Sequence, residues 1–398
     1  FFGNIYFFHF LKTLLGNIRN ISTLPNYYVK KETSNKKNFY NLIISNASEK
    51  DFLRDGSYFD NYFQTNSRSL PNTLWFLNCV DSFIPKKIDQ NVVLFTTKKS
   101  IIKYNLFYLI ISFIVTLFKV KFSPKKMIHE FSFGTKFSNI ISRNLLFEVS
   151  NYNLKRVLIS YEAQPFQNNI FNKIKEINNK IKTIGFYHTS LTPLPVSMIK
   201  RSGSPDELMI SGKFQKTILK KYLKWPSSSI KIVPSFRYIK KNLINMSGFI
   251  FLPYDFTSSK KIVVEFENFL KKSSKKSIGK LFKIKNHPHA IQSKKHNILI
   301  KELSNLIRKY KNRFSKNNKN NSIFIGSTTS VIIALEKGTK VTHICENPVF
   351  ECYNDRMWKT LKVEQIGDNT FSYKLKKKKN LIQFSQRKNL LKKYCLLN

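Results

Sequence analysis

The sequence predicts an α/β protein of two tandem halves, each a mainly parallel sheet covered by helices, and three observations carry that prediction. Short apolar runs repeatedly end in a polar turn and pass into a helical pattern, as in KRVLISYEAQPFQ from Lys155 and IKTIGFYHTSLTP from Ile181. The alternation pauses in a polar connection, Lys240 to Ser247, and restarts at FIFLPYDFTSS from Phe249. Ser322 to Cys345, SIFIGSTTSVIIALEKGTKVTHIC, then reads as strand, small-residue turn, helix and second strand in unbroken succession.

Taken in order, residues 1–39 form an apolar, aromatic segment that turns polar, and no role is assigned to it. Residues 40–239 form the first domain. FYNLIIS, TLWFLNC ending at Cys79 and NVVLFTT from Asn91 are buried strands by their unbroken apolar character, and they make the first half of a Rossmann-like sheet. Between Lys103 and Lys119, residues 104–118 (YNLFYLIISFIVTLF) carry no charge and are flanked by lysines. A spanning helix needs about 20 apolar residues, so this run is short for one; it reads as a buried element or a helix docking on a membrane surface. Leu208 to Ser211 is a short strand, Lys213 to Lys224 a basic helix, and Ile230 to Tyr238 the last strand of this half.

Residues 248–373 form the second domain. The strand at Phe249 leads to a helix from about Lys261, KLFKIKNHPHA is a strand running into His287-Pro288-His289, and residues 292–321 are a basic helix and a Lys/Asn-rich loop. Within GSTTS, Gly326 to Ser330, the turn opens a helix over Val331 to Lys337 that Gly338 closes. Residues 374–398 are lysine-rich and then amphipathic, which suits a terminal helix lying across the domains or on a membrane.

The chain holds 398 residues with 69 Lys and Arg against 23 acidic residues, a formal net charge of +46. Such a balance calls for anionic partners or an A/T-rich coding bias, and the abundant Phe, Ile, Asn and Lys fit the latter. The apolar content is too high for a disordered tail. Cys79, Cys345, Cys352 and Cys395 form no paired framework and no C-x-x-C, so a reducing compartment is expected. No signal-peptide pattern is present in the sequence given.

Candidate chemistry sits where strands end, because ligands of open α/β sheets bind outside the carboxyl ends of their strands. Glu162 and His188 end two such strands, and either is a candidate general base for an attacking hydroxyl. Each also has a plainer reading, Glu162 as a cap of the next helix and His188 as a loop histidine bonded to backbone. First-turn N–H groups together with the hydroxyls of Ser327, Thr328, Thr329 and Ser330 suit a phosphate, although an ordinary N-cap has the same composition. His287 ends another strand, where an imidazole donates to phosphate or packs on a nucleobase, with Lys285 adding positive charge beside it. Glu346, just past a strand, accepts from a ribose hydroxyl or is a surface carboxylate. Tyr353, Asp355 and Arg356 are candidates to line the same cleft. His287 and His289 lack the further ligands a zinc ion needs, and no D-x-D triplet occurs, so no metal and no cofactor is expected.

The order of YEAQ at Tyr161, GFYHT at Gly185, KNHPH at Lys285 and GSTTS at Gly326 resembles the layout of bacterial capsule, O-antigen and lipopolysaccharide transferases of GT-B architecture, two Rossmann-like domains facing an interdomain cleft. It is especially similar to bacterial sialyltransferases and polysialyltransferases, which carry an acidic motif, a His-Pro motif and a Ser-Ser/Thr motif. The resemblance implies that Glu162 acts as base, that His287 with Pro288 meets a cytidine monophosphate, and that Ser327 and Thr328 hold its phosphate. The family's acidic motif is a carboxylate pair followed by glycine, whereas here a single Glu162 precedes Ala163. The implied activity is metal-independent transfer of a sugar from a nucleotide-sugar donor, CMP-linked, to a glycan or lipid-linked glycan acceptor. The implied setting is cytoplasmic, peripheral on the inner face of the bacterial inner membrane and in contact with its anionic surface. Two other classes compete with it: a basic nucleic-acid-binding protein, whose charge would leave the strand-end residues idle, and a non-catalytic membrane-associated polysaccharide-assembly protein. No nucleic acid partner is expected on the transferase reading.

Overall fold

A computed structural model describes residues 25–31, 39–79, 83–101, 114, 118, 145, 149–240, 246–273, 282–287, 290, 293–313, 320–376, 381–386 and 390–395. Most of the 104–118 segment therefore lies outside the described residues, as do Pro288 and His289. By contacts the chain divides into two compact units, one of residues 1–186, 200–209 and 388–398, the other of residues 187–199 and 210–387.

In the first unit, strands β1 (Pro25–Lys31), β2 (Asn41–Ala47), β3 (Thr73–Cys79), β4 (Val92–Ile101), β5 (Arg156–Ser160), β6 (Lys182–Phe186) and β7 (Glu207–Ile210) lie in the order β1-β4-β3-β2-β5-β6-β7. From β4 to β7 all neighbours are parallel, and β1 joins the edge antiparallel to β4. Its sequence lies in the segment to which the sequence reading gave no role. Consecutive residues Leu74, Trp75, Phe76 and Leu77 of β3 are all buried, as expected of a strand covered on both faces. Helix α1 (Pro165–Ile177) buries Ile170, Phe171 and Ile174. Gly203 has a φ of +78°, and a Cβ there would stand 2.4 Å from the Asn168 carbonyl oxygen, a contact no side chain tolerates. The left-handed conformation alone costs an alanine about 1–2 kcal/mol. Gly203→Ala is expected to destabilise the fold by more than that conformational cost, read as a lowered urea midpoint of unfolding, and an unchanged midpoint would contradict this packing.

The second unit begins with the loop after β6, continues with α2 (Lys213–Tyr222) and two short strands, β8 (Ile230–Ile232) and β9 (Ser235–Ile239), and then builds its own sheet. The single strand expected over Ile230 to Tyr238 is broken at Val233-Pro234, where proline has no N–H to give a ladder. β10 (Phe249–Phe251), β11 (Lys283–Lys285), β12 (Asn321–Ile325), β13 (Lys340–Ile344), β14 (Leu361–Gly367) and β15 (Thr370–Leu375) lie in the order β11-β10-β12-β13-β15-β14. The first four are parallel, and β14 and β15 close the edge as an antiparallel hairpin that the sequence reading did not anticipate. Helices α3 (Ser259–Lys272) and α4 (Lys294–Lys309) cover this sheet. Ile262, Phe266 and Leu270 repeat every four residues, and Leu299, Leu303 and Ile307 do the same, so each helix presents one apolar stripe to Ile250, Ile323 and Ile344. Full burial of each such side chain stabilises by about 1.5–3 kcal/mol.

Helix α5 spans Ser330–Glu336, one residue ahead of the expected Val331–Lys337, and ends as predicted at Gly338, whose φ is +82°. The Gly338 N–H donates to Leu335 O and the Thr339 N–H to Ala334 O at 2.9 Å, the pair of bonds that closes a helix on a left-handed glycine. The expected terminal helix is only a short turn, α7 (Leu390–Tyr394), after the brief α6 (Pro348–Glu351). Leu381 and Ile382 instead bury themselves in the second unit, and Phe384–Ser385, strand β16, pairs parallel with β9. Gln215 of α2 donates to the Leu381 carbonyl at 2.7 Å, which holds this strap in place. Among the described residues no helix is long and apolar enough to cross a membrane.

Candidate active site

In the second unit the carboxyl ends of β10, β11, β12 and β13 bring several of the predicted residues to one edge. The loop after β10 carries Tyr254 and Asp255, β11 ends beside His287, β12 leads into Gly326 to Ser330, and β13 leads to Glu346. The His287 ring meets Tyr254 edge-on, 5.3 Å between centroids at 69°, and its backbone N–H donates to Asn286 Oδ1 at 2.8 Å. Tyr254 is 64% exposed, so an open aromatic face stands next to a half-buried imidazole. This pair offers stacking and a hydrogen bond to a planar base.

Gly326 adopts a φ of +63°, and a Cβ on it would crowd the Pro253 ring at 3.1 Å, so the turn after β12 and the loop after β10 approach as closely as glycine permits. Thr328 Oγ1 accepts from the Ser330 N–H at 3.3 Å, while Ser327 is exposed and Thr329 and Ser330 are partly so.

What holds the turn from below was not anticipated in the sequence. His343, wholly buried on β13, places Nε2 2.7 Å from Gly326 O and Nδ1 3.0 Å from the Tyr373 hydroxyl. A carbonyl only accepts, so Nε2 carries the proton and Nδ1 takes one from Tyr373. Burial pushes the His343 pKa down to about 4, which keeps this ring neutral and this tautomer fixed. Tyr353, also fully buried, donates to the Thr328 carbonyl at 3.3 Å. Tyr353 was expected to line a cleft; it supports the turn from inside. Asp355 and Arg356, named with it, are exposed at the surface. The signal for His343 was present, because Val341, His343 and Cys345 share one face of a strand whose apolar members point inward.

Two predicted donor residues have partners of their own. Lys285 is exposed and lies 5.8 Å from the ring centroids of Phe249 and Phe251, a cation–π contact along the sheet flank. The Glu346 carboxylate accepts the backbone N–H groups of Thr257, at 2.7 Å, and Ser258, so any ribose hydroxyl competes with two amides at the start of α3. His296, another buried imidazole that sequence reading passed over, fixes the same loop by a 3.0 Å contact to Pro253 O.

In the first unit Glu162 follows β5 with its side chain exposed. The Gln167 side chain accepts from the Glu162 N–H at 2.9 Å and the Gln164 N–H at 3.1 Å and donates to Ser160 O at 2.8 Å, so the turn is braced by Gln167. Gln164 occupies the N-cap position of α1, which takes from Glu162 the capping role that was its plainer reading. Ala163 sits at φ +57°, the left-handed region glycine favours, and Arg201 donates to its carbonyl at 3.2 Å.

His188, assigned to the second unit, is buried, and burial followed by the Arg237 charge lowers its pKa to about 3. A group so weakly basic is poorly matched to proton abstraction near neutrality, where the most effective base titrates close to the working pH.

The fold and this edge define an α/β protein with two mainly parallel sheets and an imidazole- and hydroxyl-lined strand-end site in the second unit. No protein-family model matches the chain, and no curated protein matches it. Among solved structures it is distantly similar to the alpha,alpha-trehalose 6-phosphate synthase of Burkholderia multivorans, at TM-score 0.38 and 8% identity over 72% of this chain and 76% of that one. It is similar at TM-score 0.35 and 11% identity to Arabidopsis thaliana UGT89C1 complexed with UDP-L-rhamnose, over 81% and 82% of the two chains. A third likeness, at TM-score 0.30 and 11% identity over 74% and 67%, is to the wall teichoic acid polymerase TagF.

Proposed function

We propose that this chain is a glycosyltransferase that moves a sugar from a nucleotide-activated donor, CMP-linked, to a growing cell-surface glycan of the capsule, O-antigen or lipopolysaccharide kind, without a metal ion. The observation that carries the reading is the placement, at one strand edge of the second unit, of the His287–Tyr254 pair and the partly exposed Ser327 to Ser330 turn. The first suits a pyrimidine base, and the second gives hydroxyls to a phosphate. The acceptor oxygen attacks the anomeric carbon, the bond to the phosphate oxygen breaks with its electron pair staying on the phosphate, and the acceptor's proton passes to the Glu162 carboxylate. With no divalent ion, the Ser327 and Thr328 hydroxyls take up the charge on the departing phosphate. The acceptor is a glycan or lipid-linked glycan at an anionic membrane surface on the cytoplasmic side. Ile114 and Phe118, the two described residues of the 104–118 segment, support that setting, since both are helical and exposed, Phe118 by 69%.

A donor screen read by product mass tests the proposal, with CMP-, UDP-, GDP- and CDP-linked sugars offered to wild type, Glu162→Ala and His287→Ala. Turnover with the CMP donor is expected in wild type, undiminished by a chelator and lost in both variants. If a different nucleotide is used, the cytidine assignment fails. If neither substitution reduces turnover, the site assignment fails, and absence of transfer from every donor would favour the non-catalytic assembly role.

A further inference from the structure

In the second unit the loop from Pro193 to Ile199 is held at both ends by buried tryptophans. Trp358 Nε1 donates to Pro193 O at 3.0 Å, and Trp225 Nε1 donates to Met198 O at 2.6 Å. Between and just beyond these anchors the backbone is tightly turned, with Val196 N–H on Leu194 O, Met198 N–H on Pro195 O and Ile199 N–H on Val196 O. Met198 points inward at 1% exposure, yet Leu194 is 40%, Val196 58% and Ile199 39% exposed. An ordered loop that fixes three adjacent apolar side chains outward keeps them in water at a cost in hydrophobic free energy, and a wet surface gives no return for it.

Trp225 follows α2, so the loop abuts the end of that helix. The inward face of α2 carries Gln215, Ile218 and Leu219, and its outward face carries Lys213, Lys216, Lys220 and Lys221, which line one shallow groove with Thr217. Tyr222 is 41% exposed beside them, with Lys221 Nζ 5.2 Å from its ring. A lysine stripe on a helix whose end abuts protruding aliphatic tips, with an exposed tyrosine at that end of the helix, has the chemistry of a surface that lies on lipid headgroups and inserts a few side chains. The tips are too few for a stable protein–protein interface, which buries roughly 1,200–2,000 Å².

We infer that α2 and the Leu194 to Ile199 loop together form a docking surface for an anionic lipid bilayer. Lysines supply the attraction and Leu194, Val196 and Ile199 the insertion. This deepens the membrane-surface part of the proposed function and is separable from its transferase part, because vesicle binding does not read sugar transfer.

The test is co-sedimentation of the full chain with vesicles of phosphatidylcholine alone or mixed with phosphatidylglycerol. Wild type is expected to pellet strongly with the mixed vesicles and only weakly, through insertion alone, with phosphatidylcholine. Reversing Lys213, Lys220 and Lys221 to Glu should weaken binding by at least about fivefold per lysine, the equivalent of about 1 kcal/mol each. The same number of reversals on α4, at Lys294, Lys301 and Arg308, should weaken it far less. Val196→Ser with Ile199→Ser, at exposed positions that leave the tryptophan anchors intact, should abolish the binding that persists once salt screens the charges. Equal losses from the α2 and α4 reversals would overturn the inference in favour of diffuse charge. It would also be overturned by an undiminished serine pair at high salt, or by pelleting without vesicles that the serine pair removes, which would mark a second copy as the occupant.

Discussion

Glu162→Gln is expected to lower the turnover number by about 100- to 10,000-fold, the range a positioned general base supplies, while donor affinity stays as in wild type. The substitution is isosteric and removes the negative charge together with the ability to take a proton. Its neighbours are prepared for it, since the bracing bonds of that turn run through the Glu162 and Gln164 backbone N–H groups and the Gln167 side chain, none of which involves the Glu162 carboxylate. Single-turnover kinetics with the CMP donor, alongside donor binding by calorimetry, separates the two quantities. His188→Gln serves as the comparison. A buried imidazole with a pKa near 3 acts through packing, so this variant should lose stability before it loses chemistry. Unchanged turnover in Glu162→Gln with a large loss in a folded His188→Gln would reverse the assignment.

Stability should decline as pH falls below about 6.5, and two buried imidazoles should dominate the slope. In the unfolded chain a histidine takes up a proton near pH 6.5. In the folded protein burial delays this to about 4 at His343 and about 3 at His188. Throughout that window the unfolded state binds more protons, so the stability is fully present above the unfolded value and is lost on acidification, at about 1.4 kcal/mol per pH unit for each ring. Unfolded carboxyl groups titrate near 4, which makes the span from about pH 5 to neutrality the informative one for the imidazoles. Urea unfolding followed by circular dichroism across that span should show the loss, and His343→Gln, which keeps a donor for Gly326 O but cannot titrate, should remove about half of it. An identical pH slope in the variant would show that His343 is not held neutral by burial.

Strand-to-helix alternation was readable because fully buried parallel strands carry unbroken apolar runs, and LWFL in β3, VLIS in β5 and IFI in β12 announce themselves that way. The hairpin of β14 and β15 was not, since its residues alternate weakly and half face water, as in KVEQI. Leu381 and Ile382 read as part of an amphipathic tail, and only the partner groups on α2 and β9 show why they leave the helix and lie buried as a strap.

By itself the sequence determined the α/β class, the strand ends at Glu162, His287 and Gly326, and the glycine stop at Gly338, because each depends on residues close together in the chain. Tertiary structure decided what those residues do. It took Lys285 onto the aromatic rings of β10, engaged Glu346 with the amides of Thr257 and Ser258, buried His188, and set His343, Tyr353 and Tyr373 under the hydroxyl turn. Burial and hydrogen-bond partners are fixed by groups distant in sequence, and a single chain read residue by residue carries no record of which distant group will arrive.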